Sequence, residues 1–454
     1  MKQRPLNRRQ FLTQALFGSG LLGLRAVVSG LPPLALAHPE AFVASLSPEA
    51  VRRKLAAAAT PQYLILSTSD AGEPLNCNVP GMYSDPNLKH PTAPSMAATS
   101  FALGSAQVTA AKVWSTLPTS ALARLNFFHL ATGNFQHGGL GEVHTLNGQV
   151  ANNEMMVSAL SAALHPLLGT IQAQPLVIGG GNAERISYRG AQQPVFSPTF
   201  IRDLLTTPDA LASFNATQAL RDRDLDALNA ALKVRADPTQ QALIDAYATS
   251  QEQACKIPQT LLAQLATIQD DGIQSQATAA ALLCQLKLAP AVLVDFPFGG
   301  DNHSDTDSHN GPGALPAEAA QHVSSVAAIS TLMGALSSQN MLEAVTFATL
   351  TTFGRSNAPD LNGRSHNGQH SCNLLIGPHV QAGVVGGATL VGDNPVAQGI
   401  DPTTGQGISS AGIQGADTLA SYGATLGRAL GLPQDTVQSL IPGSQAVSAA
   451  LAGL

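Results

Sequence analysis

Acidic residues and histidines are concentrated in one short stretch near residue 300. In chain order they are Asp301, His303, Asp305, Asp307 and His309. Charged residues make up only 11% of the chain, so three Asp within seven positions exceed what the overall composition would place there. Carboxylate and imidazole groups at this density are typical ligands of Zn, Mn or Mg. We therefore expect one or two divalent ions here; the alternative is a solvated turn in which the Asp side chains cap their own backbone.

A second polar cluster follows at residues 362–370. It contains His366 and His370, four positions apart and directly ahead of a strand-like run. As metal ligands, these two histidines could complete the site predicted near residue 300. The alternative is a pair of exposed loop histidines. The presence of two clusters, each next to a predicted strand end, favours the metal site.

Buried strands must position these clusters. Residues 291–294 form a short β-branched run that a proline and a Gly-Gly pair close, and the first cluster follows it. In open α/β sheets, ligand sites lie at the carboxyl ends of such strands. Residues 63–66 form a second buried run. Thr68, Ser69 and Asp70 stand just behind it.

Strand-like and helix-like segments alternate along the chain. Short apolar runs predict strands at residues 63–66, 125–130, 175–178, 291–294, 344–350 and 372–376. Apolar spacing near 3.6 residues predicts helices at residues 48–59, 151–164, 315–338, 417–430 and 442–451, and a helical segment over residues 200–286. This alternation predicts an α/β fold, a mostly parallel sheet with helices on both faces. Ser67, Asp301, Arg355 and His366 should lie on one edge of that sheet.

The first 37 residues have the features of an export signal. Arg8 and Arg9 stand in a twin-arginine pattern, and residues 35–37 form an A-x-A cleavage site. Arg25 interrupts the apolar stretch between them, which favours a signal over the alternative of a membrane anchor. We expect the twin-arginine translocase to carry a mature domain, residues 38–454, to the periplasm or the outside of the cell.

The net charge of the mature domain restricts the classes of partner that it is expected to bind. The predicted signal holds five basic residues and no acidic one, so its removal changes the net charge from −6 to −11. An acidic protein is a poor partner for nucleic acid or anionic lipid. Later apolar runs are too short for a stable membrane span. The 417 residues from 38 to 454 are enough for one large α/β domain.

The cysteines do not form a metal motif. Cys77, Cys255, Cys284 and Cys372 are widely separated. Export would permit a disulfide between Cys255 and Cys284, or between Cys77 and Cys372. Free buried thiols are the alternative for either pair.

Other motif-based functions find little support. Asp305 and Asp307 fit the first two positions of an EF-hand calcium loop, but the Gly and Glu that the loop needs are missing. The sequence contains neither a G-x-S-x-G nor a Walker motif, so a serine hydrolase and a nucleotide-driven motor are both disfavoured.

The order of the motifs resembles a known family. Residues 299–305 read GGDNHSD, residues 351–356 read TTFGRS, and residues 363–387 read GRSHNGQHSCNLLIGPHVQAGVVGG. They correspond to the patterns G-x-D-T-H, S-E-F-G-R-T and G-x-D-H, the last followed by a glycine tract. The chain therefore resembles the exported proteins of the domain-of-unknown-function 1501 family, within the alkaline phosphatase and sulfatase superfamily. The likeness covers most of the mature chain and is strongest over residues 292–430.

The resemblance implies a two-metal site. Superfamily enzymes hold two divalent ions with Asp and His, and a Ser, Thr or modified Cys attacks the ester. By this resemblance one ion would be held by Asp301 with His303, or in a competing register by Asp305 with His309. His366 would then help to hold the second ion. At the end of the first strand-like run, Asp70 would be the acidic ligand and Thr68 or Ser69 the nucleophile.

The chain departs from the family pattern at two positions. Thr352 stands where the family has Glu, and Ser365 stands where it has a metal-binding Asp. Losing a carboxylate weakens a two-ion site more than a one-ion site.

Two functions follow as expectations. The first is metal-assisted hydrolysis of an anionic phosphate or sulfate ester, with Arg355 steadying the anionic group; the alternative for Arg355 is a structural ion pair. The second is a non-catalytic exported protein that keeps the fold and binds an envelope glycan, a polymer or a protein.

Overall fold

A computed structural model of the protein describes residues 59–138, 143–150, 154–179, 186–206, 259–300, 314–358, 363–409 and 412–453, with a few isolated positions between residues 230 and 241. The predicted export signal, the helix predicted at residues 48–59 and most of the helical segment predicted before residue 259 lie outside these residues. The same holds for the first polar cluster, from Asp301 to His309.

Eighteen strands are present among the described residues. They are β1 (Tyr63–Ser69), β2 (Ala98–Leu103), β3 (Ala106–Ala111), β4 (Leu125–Leu130), β5 (Leu176–Ile178), β6 (Ser187–Tyr188), β7 (Ala191–Gln192), β8 (Val195–Phe196), β9 (Ala291–Val294), β10 (Val345–Thr351), β11 (Gly354–Arg355), β12 (His366–Asn367), β13 (Ser371–Ile376), β14 (Gly383–Val385), β15 (Ala388–Val391), β16 (Asn394–Ala397), β17 (Gly399–Ile400) and β18 (Gly407–Ile408). All six strands predicted from apolar runs are among them.

Eight of these strands form one sheet, in the order β14-β4-β13-β10-β1-β9-β5-β8. The central strand β1 pairs in parallel with β10 on one side and with β9 on the other. Within this sheet β13 alone runs in the opposite direction, because it pairs antiparallel with both β10 and β4. The predicted mostly parallel sheet is therefore confirmed.

Helices cover both faces of the sheet. In chain order the α-helices of the described residues are α1 (Leu75–Asn78), α2 (Thr119–Leu122), α3 (Met156–Leu168), α4 (Pro198–Thr206), α5 (Gln259–Leu265), α6 (Ile273–Gln285), α7 (Ala314–Ser338), α8 (Thr418–Ala429) and α9 (Gln434–Leu440). One core joins a face of the sheet to α4, α5, α6 and α7, and a second core joins the opposite face to α3, α8 and α9. This arrangement is the predicted α/β fold.

Side-chain alternation assigns β1 to both cores. Tyr63 and Ile65 belong to the first core, whereas Leu64 and Leu66 belong to the second. Successive side chains of a strand point to opposite faces, so a strand with helices on both sides must be apolar throughout. The run at residues 63–66 satisfies this requirement, and the polar residues begin only at the carboxyl end of the strand.

Strands β10 and β13 separate toward the edge where β10 ends. They are paired only at two positions, where Phe347 faces Ile376 and Ala348 faces Leu375. Farther along, side chains replace the ladder: the Thr351 N–H donates to Asn373 Oδ1 at 3.2 Å, and the Leu374 N–H donates to Thr349 Oγ1 at 2.9 Å. Side-chain oxygens thus accept the backbone N–H groups where the two strands separate.

Two helix predictions need correction. The helix predicted at residues 442–451 is wrong: α9 ends at Leu440, and a single 3-10 turn spans Ser448–Ala450. Gly443, whose φ of +75° belongs to the left-handed region, interrupts the helical path there. The helical run predicted before residue 286 is divided between α5 and α6, because Asp270 accepts the Gly272 N–H in a turn between them.

The cysteines that the structure describes are free. Cys77, Cys284 and Cys372 are buried thiols, so the disulfide considered between Cys77 and Cys372 is not formed. Cys255 lies outside the described residues. In the part of the chain that the structure covers, no helix has both the length and the apolar character needed to cross a membrane.

Candidate functional site

The carboxyl ends of β1 and β10 and the beginning of β13 meet at one edge of the sheet. At this edge the Ser69 hydroxyl donates a hydrogen bond of 2.6 Å to Glu73 Oε1. The second carboxylate oxygen of Glu73 accepts the Phe298 N–H at 2.7 Å, and the Glu73 N–H donates to Thr351 Oγ1 at 2.9 Å. Glu73 therefore joins the loop after β1 to the loop after β9 and to the end of β10.

Glu73 has an unusual protonation equilibrium for a glutamate. Its side chain is buried, and this burial raises the pKa of the carboxyl to about 7. The hydrogen bonds from Ser69 and from the Phe298 N–H favour the charged form, the charge of Asp295 opposes it, and the charge of Arg355 favours it. A carboxylate with a pKa near neutrality, bonded to a hydroxyl, can accept the proton of that hydroxyl.

Arg355 is also buried at this edge, and its guanidinium binds backbone carbonyls. It donates to Gly72 O at 2.7 Å, to Ala71 O at 2.5 Å, to Arg364 O at 3.3 Å and to Gly300 O. Asn76 fixes the Arg355 backbone, since its side chain accepts the Arg355 N–H and donates to the Arg355 carbonyl. The sequence leaves open whether Arg355 steadies an anionic substrate or forms a structural ion pair; in the structure its guanidinium donates to backbone carbonyls.

A buried ion pair lies next to Arg355. Arg364 donates to both carboxylate oxygens of Glu318, at 3.0 Å and 3.2 Å, and neither side chain has any exposed surface. Asn78 donates to the same carboxylate at 2.6 Å. Removing one partner of such a pair would leave an uncompensated buried charge. The pair therefore secures α7 against the loop that carries Arg364.

Two histidines, which we call the buried pair, lie side by side beneath this edge. His129 and His370 are fully buried, with parallel rings and a bond of 2.9 Å between His129 Nδ1 and His370 Nε2. His129 Nε2 contacts Pro80 O at 2.8 Å, and Asn76 Nδ2 contacts His370 Nδ1 at 3.3 Å. Because Pro80 O can only accept, His129 carries its proton on Nε2 and its Nδ1 accepts from His370. His370 therefore also carries its proton on Nε2, and its Nδ1 accepts from Asn76.

The protonation of the buried pair is suppressed. Burial lowers the pKa of His129 to about 4, although its bond to Pro80 O opposes this shift. Burial and the neighbouring His129 lower the pKa of His370 well below the ordinary value. Both nitrogens of His370 are bonded to protein groups, so the side chain is occupied and does not offer the metal ligand that the sequence predicts.

Two other histidines, which we call the edge pair, lie nearer the surface. His137 contacts Asp70 O through Nδ1 at 2.9 Å, and His366 contacts Phe135 O through Nδ1 at 2.8 Å. The two rings are perpendicular, with centroids 4.6 Å apart. Since both acceptors are carbonyls, Nδ1 carries the proton in each ring, and Nε2 is the basic nitrogen.

The edge pair brings two predicted ligands, Asp70 and His366, into one neighbourhood. The Asp70 carboxylate accepts the Gly138 N–H at 2.8 Å, and its carbonyl accepts the His137 ring N–H. Burial lowers the pKa of His366; its bond to Phe135 O opposes this shift, and the charges of Arg355 and His137 add to it.

The remaining site predictions divide between described and undescribed residues. Asp301, His303, Asp305, Asp307 and His309 lie outside the described residues, so their shared site stays a prediction. Of the two predicted nucleophiles, Ser69 lies against Glu73. Thr68 is buried and, by the alternation of the strand, directed to the opposite face.

The family's acidic positions are neutral in this chain and have other contacts. Thr352 Oγ1 accepts a bond of 2.8 Å from Asn134, and the Ser365 N–H donates to Ser356 Oγ at 2.8 Å. Within the described residues, no group of three or more His, Cys, Asp or Glu side chains is arranged to hold a metal ion. The described side chains by themselves thus do not fit the two-metal site that the resemblance implies.

Several residues of this edge escape sequence reasoning. Glu73, His129 and Glu318 stand in no recognisable motif, and only the fold reveals their burial. A weak signal was present for Glu73: it is an acidic residue in the loop directly after a buried strand, the same position that predicts Asp70.

The fold and this edge define an α/β protein with a mostly parallel sheet and a polar cluster where its central strands end. The chain belongs to the family described as proteins of unknown function (DUF1501), whose family model matches residues 172–404. The matched region includes β9, β10 and β13, whereas Ser69 and Glu73 precede it. No curated protein matches the chain.

Proposed function

We propose that the protein hydrolyses phosphate or sulfate esters, with Ser69 as the nucleophile and Glu73 as its general base. The observation that carries this proposal is the 2.6 Å bond from the Ser69 hydroxyl to a buried carboxylate. A serine hydroxyl is a weak nucleophile until an adjacent base removes its proton. The resemblance to the alkaline phosphatase and sulfatase superfamily supports the ester class.

The reaction has two steps. Ser69 Oγ forms a bond to phosphorus or sulfur while the bond from that atom to the alcohol oxygen breaks, and the hydroxyl proton passes through Glu73 to the leaving alkoxide. Water then attacks the seryl ester, and its proton passes through Glu73 to Ser69 Oγ as phosphate or sulfate leaves. Glu73 must be ionised at the start, so activity should rise as the pH increases through about 7.

In this proposal, the binding of divalent metal ions rests only on ligands that are predicted from the sequence. Asp70 and His366 would supply two of the ligands, and the cluster from Asp301 to His309 would have to supply the others. We assign no step of the reaction to a metal.

The test is a kinetic comparison of three variants on p-nitrophenyl phosphate and p-nitrophenyl sulfate. Ser69→Ala and Glu73→Gln should each lower kcat about a hundredfold or more, since general base catalysis typically contributes that much. Thr68→Val probes the competing nucleophile on the same strand. If Thr68→Val abolishes turnover while Ser69→Ala does not, Thr68 is the nucleophile and our assignment is wrong.

The place of action in this proposal is outside the cytoplasm. The support is the Arg8-Arg9 pattern with its cleavage site. Changing both arginines to Lys should trap the precursor in the cytoplasm. Normal appearance of a mature protein beginning at His38 in that variant would refute the twin-arginine route.

A non-catalytic exported binding protein is the second candidate. The observation that favours it is that Arg355, Arg364 and His370 are bonded to protein groups. Thr352 and Ser365 stand where the family has acidic residues, which also favours a non-catalytic protein. The wild type would then turn over neither ester with Zn, Mn or Mg present, and would bind an envelope glycan, a polymer or a protein with an affinity that Ser69→Ala leaves unchanged.

A further inference from the structure

The guanidinium of Arg355 connects three separate loops. Gly72 and Ala71 belong to the turn between Ser69 and Glu73, Gly300 ends the described loop after β9, and Arg364 precedes β12. Each carbonyl occupies a different N–H of the planar fork, which only arginine offers. The turn that carries the Ser69–Glu73 pair is therefore bonded to both neighbouring loops through one side chain.

Packing reinforces this turn. The Arg355 guanidinium lies 5.1 Å from the centre of the Phe353 ring, and the same ring fills the space beside Gly72. A Cβ at Gly72, where φ is +71°, would lie 1.8 Å from a Phe353 ring atom. The Phe353 ring thus packs against the turn, and the Arg355 guanidinium binds the carbonyls of the same turn.

The loop after β9 approaches the pair closely. A Cβ at Gly300 would lie 2.5 Å from the Ala71 Cβ and 2.8 Å from Glu73 Oε1, the oxygen that binds Ser69. The absence of a side chain at Gly300 is what permits this approach. A small shift of either loop would therefore change the geometry of the Ser69–Glu73 bond.

We propose that Arg355 is a positioning residue that holds the Ser69–Glu73 pair in its reactive geometry by joining these three loops. As a statement about catalysis, this inference rests on the proposed function. The groups that face Glu73 are Ser69, the Phe298 N–H, the Asp295 charge and the Arg355 charge. Arg355 is the cation among them, so its removal should make the ionised form of Glu73 less favourable.

The experiment measures kcat, KM and the pH profile on p-nitrophenyl phosphate for two substitutions of Arg355. Arg355→Lys keeps the charge and loses the fork, so kcat should fall about a hundredfold, the cost of a small misplacement, with KM within about twofold of the wild type. The pH at which its kcat rises on the acid side of the profile should not change. Arg355→Met also loses the charge, so its acid limb should move to higher pH.

Three further variants keep the test decisive. Gly300→Ala displaces the facing loop, whose Gly300 carbonyl accepts from Arg355, while the Arg355 side chain itself is unchanged, and it should also lower kcat. Arg124→Lys is the matched control, because Arg124 makes a partly exposed pair with Glu343. Gly334→Ala, in α7 with no atom near the new Cβ, is the control for the glycine substitution. Should Arg355→Met fail to fold, Arg355→Lys and Gly300→Ala still carry the comparison.

The outcomes separate the inference from the proposed function. If Arg355→Lys keeps kcat within twofold, or raises KM alone, Arg355 does not position the pair and the inference is overturned. If the wild type turns over no ester, the proposed function fails. Carbon-13 NMR of glutamate-labelled protein then decides the inference: the Glu73 resonance, assigned with Glu73→Gln, should shift in Arg355→Lys and stay in place in Arg124→Lys. An unshifted resonance in Arg355→Lys overturns the inference.

Discussion

The buried pair and the edge pair place the same residue type in opposite settings at one edge of the sheet. In the buried pair, His129 and His370 bind each other and protein groups through every ring nitrogen. In the edge pair, His137 and His366 each contact a loop carbonyl through Nδ1, near the surface. A buried histidine with both nitrogens bonded is a structural element, whereas a histidine nearer the surface whose Nδ1 bond fixes the ring keeps Nε2 as its basic nitrogen.

The comparison shows that burial decides the role of a histidine more than sequence spacing does. His366 and His370 are four residues apart and belong to the same predicted cluster, yet they fall into different pairs. His366 lies on β12, whereas His370 directly precedes β13 and turns beneath the sheet edge. The predictions below test this division, from the largest expected effect to the smallest.

Replacing a member of the buried pair should cost the most stability. His370→Ala removes a fully buried ring and leaves the Nδ1 acceptor of His129 without its donor. We expect a loss of about 3 kcal/mol in the free energy of unfolding, since a cavity and an unsatisfied polar atom both contribute. Urea unfolding at pH 7.5 measures it.

The matched control for this loss is His366→Ala in the edge pair. His366 is only partly buried, so its removal should cost less than about 1 kcal/mol. Equal losses for the two variants would contradict the division between the pairs.

Acid should destabilise the protein through the buried pair. The folded-state pKa of His129, about 4, lies below its ordinary value of 6.5. Between these values the unfolded chain binds a proton that folded His129 does not, so stability falls as the pH drops through this window. From pH 7.5 to 5.0, the wild type should lose about 2 kcal/mol more than His129→Asn. Chemical unfolding at both pH values measures the difference, and parallel losses would show that the pair does not titrate in this way.

The smallest expected effect concerns metal binding at the edge pair. If His366 and the cluster at residues 301–309 share an ion, added zinc or manganese should raise the melting temperature by about 1–2 °C, because the ion binds only the folded protein. Replacing His303 and His366 together with Ala should remove this rise, and His129→Asn should keep it. A wild-type melting temperature that responds neither to metal nor to chelator would refute the predicted metal site.

The sheet could be predicted from the sequence because its strands carry a simple signal. A strand buried on both faces carries a mostly apolar run, and the runs at residues 125–130 and 291–294 coincide with β4 and β9. The end of the chain was harder, since the pattern at residues 442–451 has helical spacing but Gly443 takes a left-handed conformation that an α-helix does not accommodate.

The site was predicted less completely for a physical reason. Sequence spacing brings together residues that are near in the chain, such as Ser69 and Asp70. The contacts that define this edge join residues hundreds of positions apart, such as Asn76 with Arg355. The role of Arg355 could not be read from its motif, because an arginine at the end of a strand binds an anion or a carbonyl depending on the loops around it.

The topology of the central sheet also governs when the chain can fold. Strand β1 pairs with β9 and β10, whose residues begin at Ala291 and Val345. During synthesis from the amino terminus, more than two hundred further residues must therefore be added after β1 before either partner strand exists. Until then its two unpaired edges and its apolar faces are open to other chains, a state prone to aggregation. Folding of this protein is thus expected to be late and slow, because its central contacts join segments that are far apart in sequence.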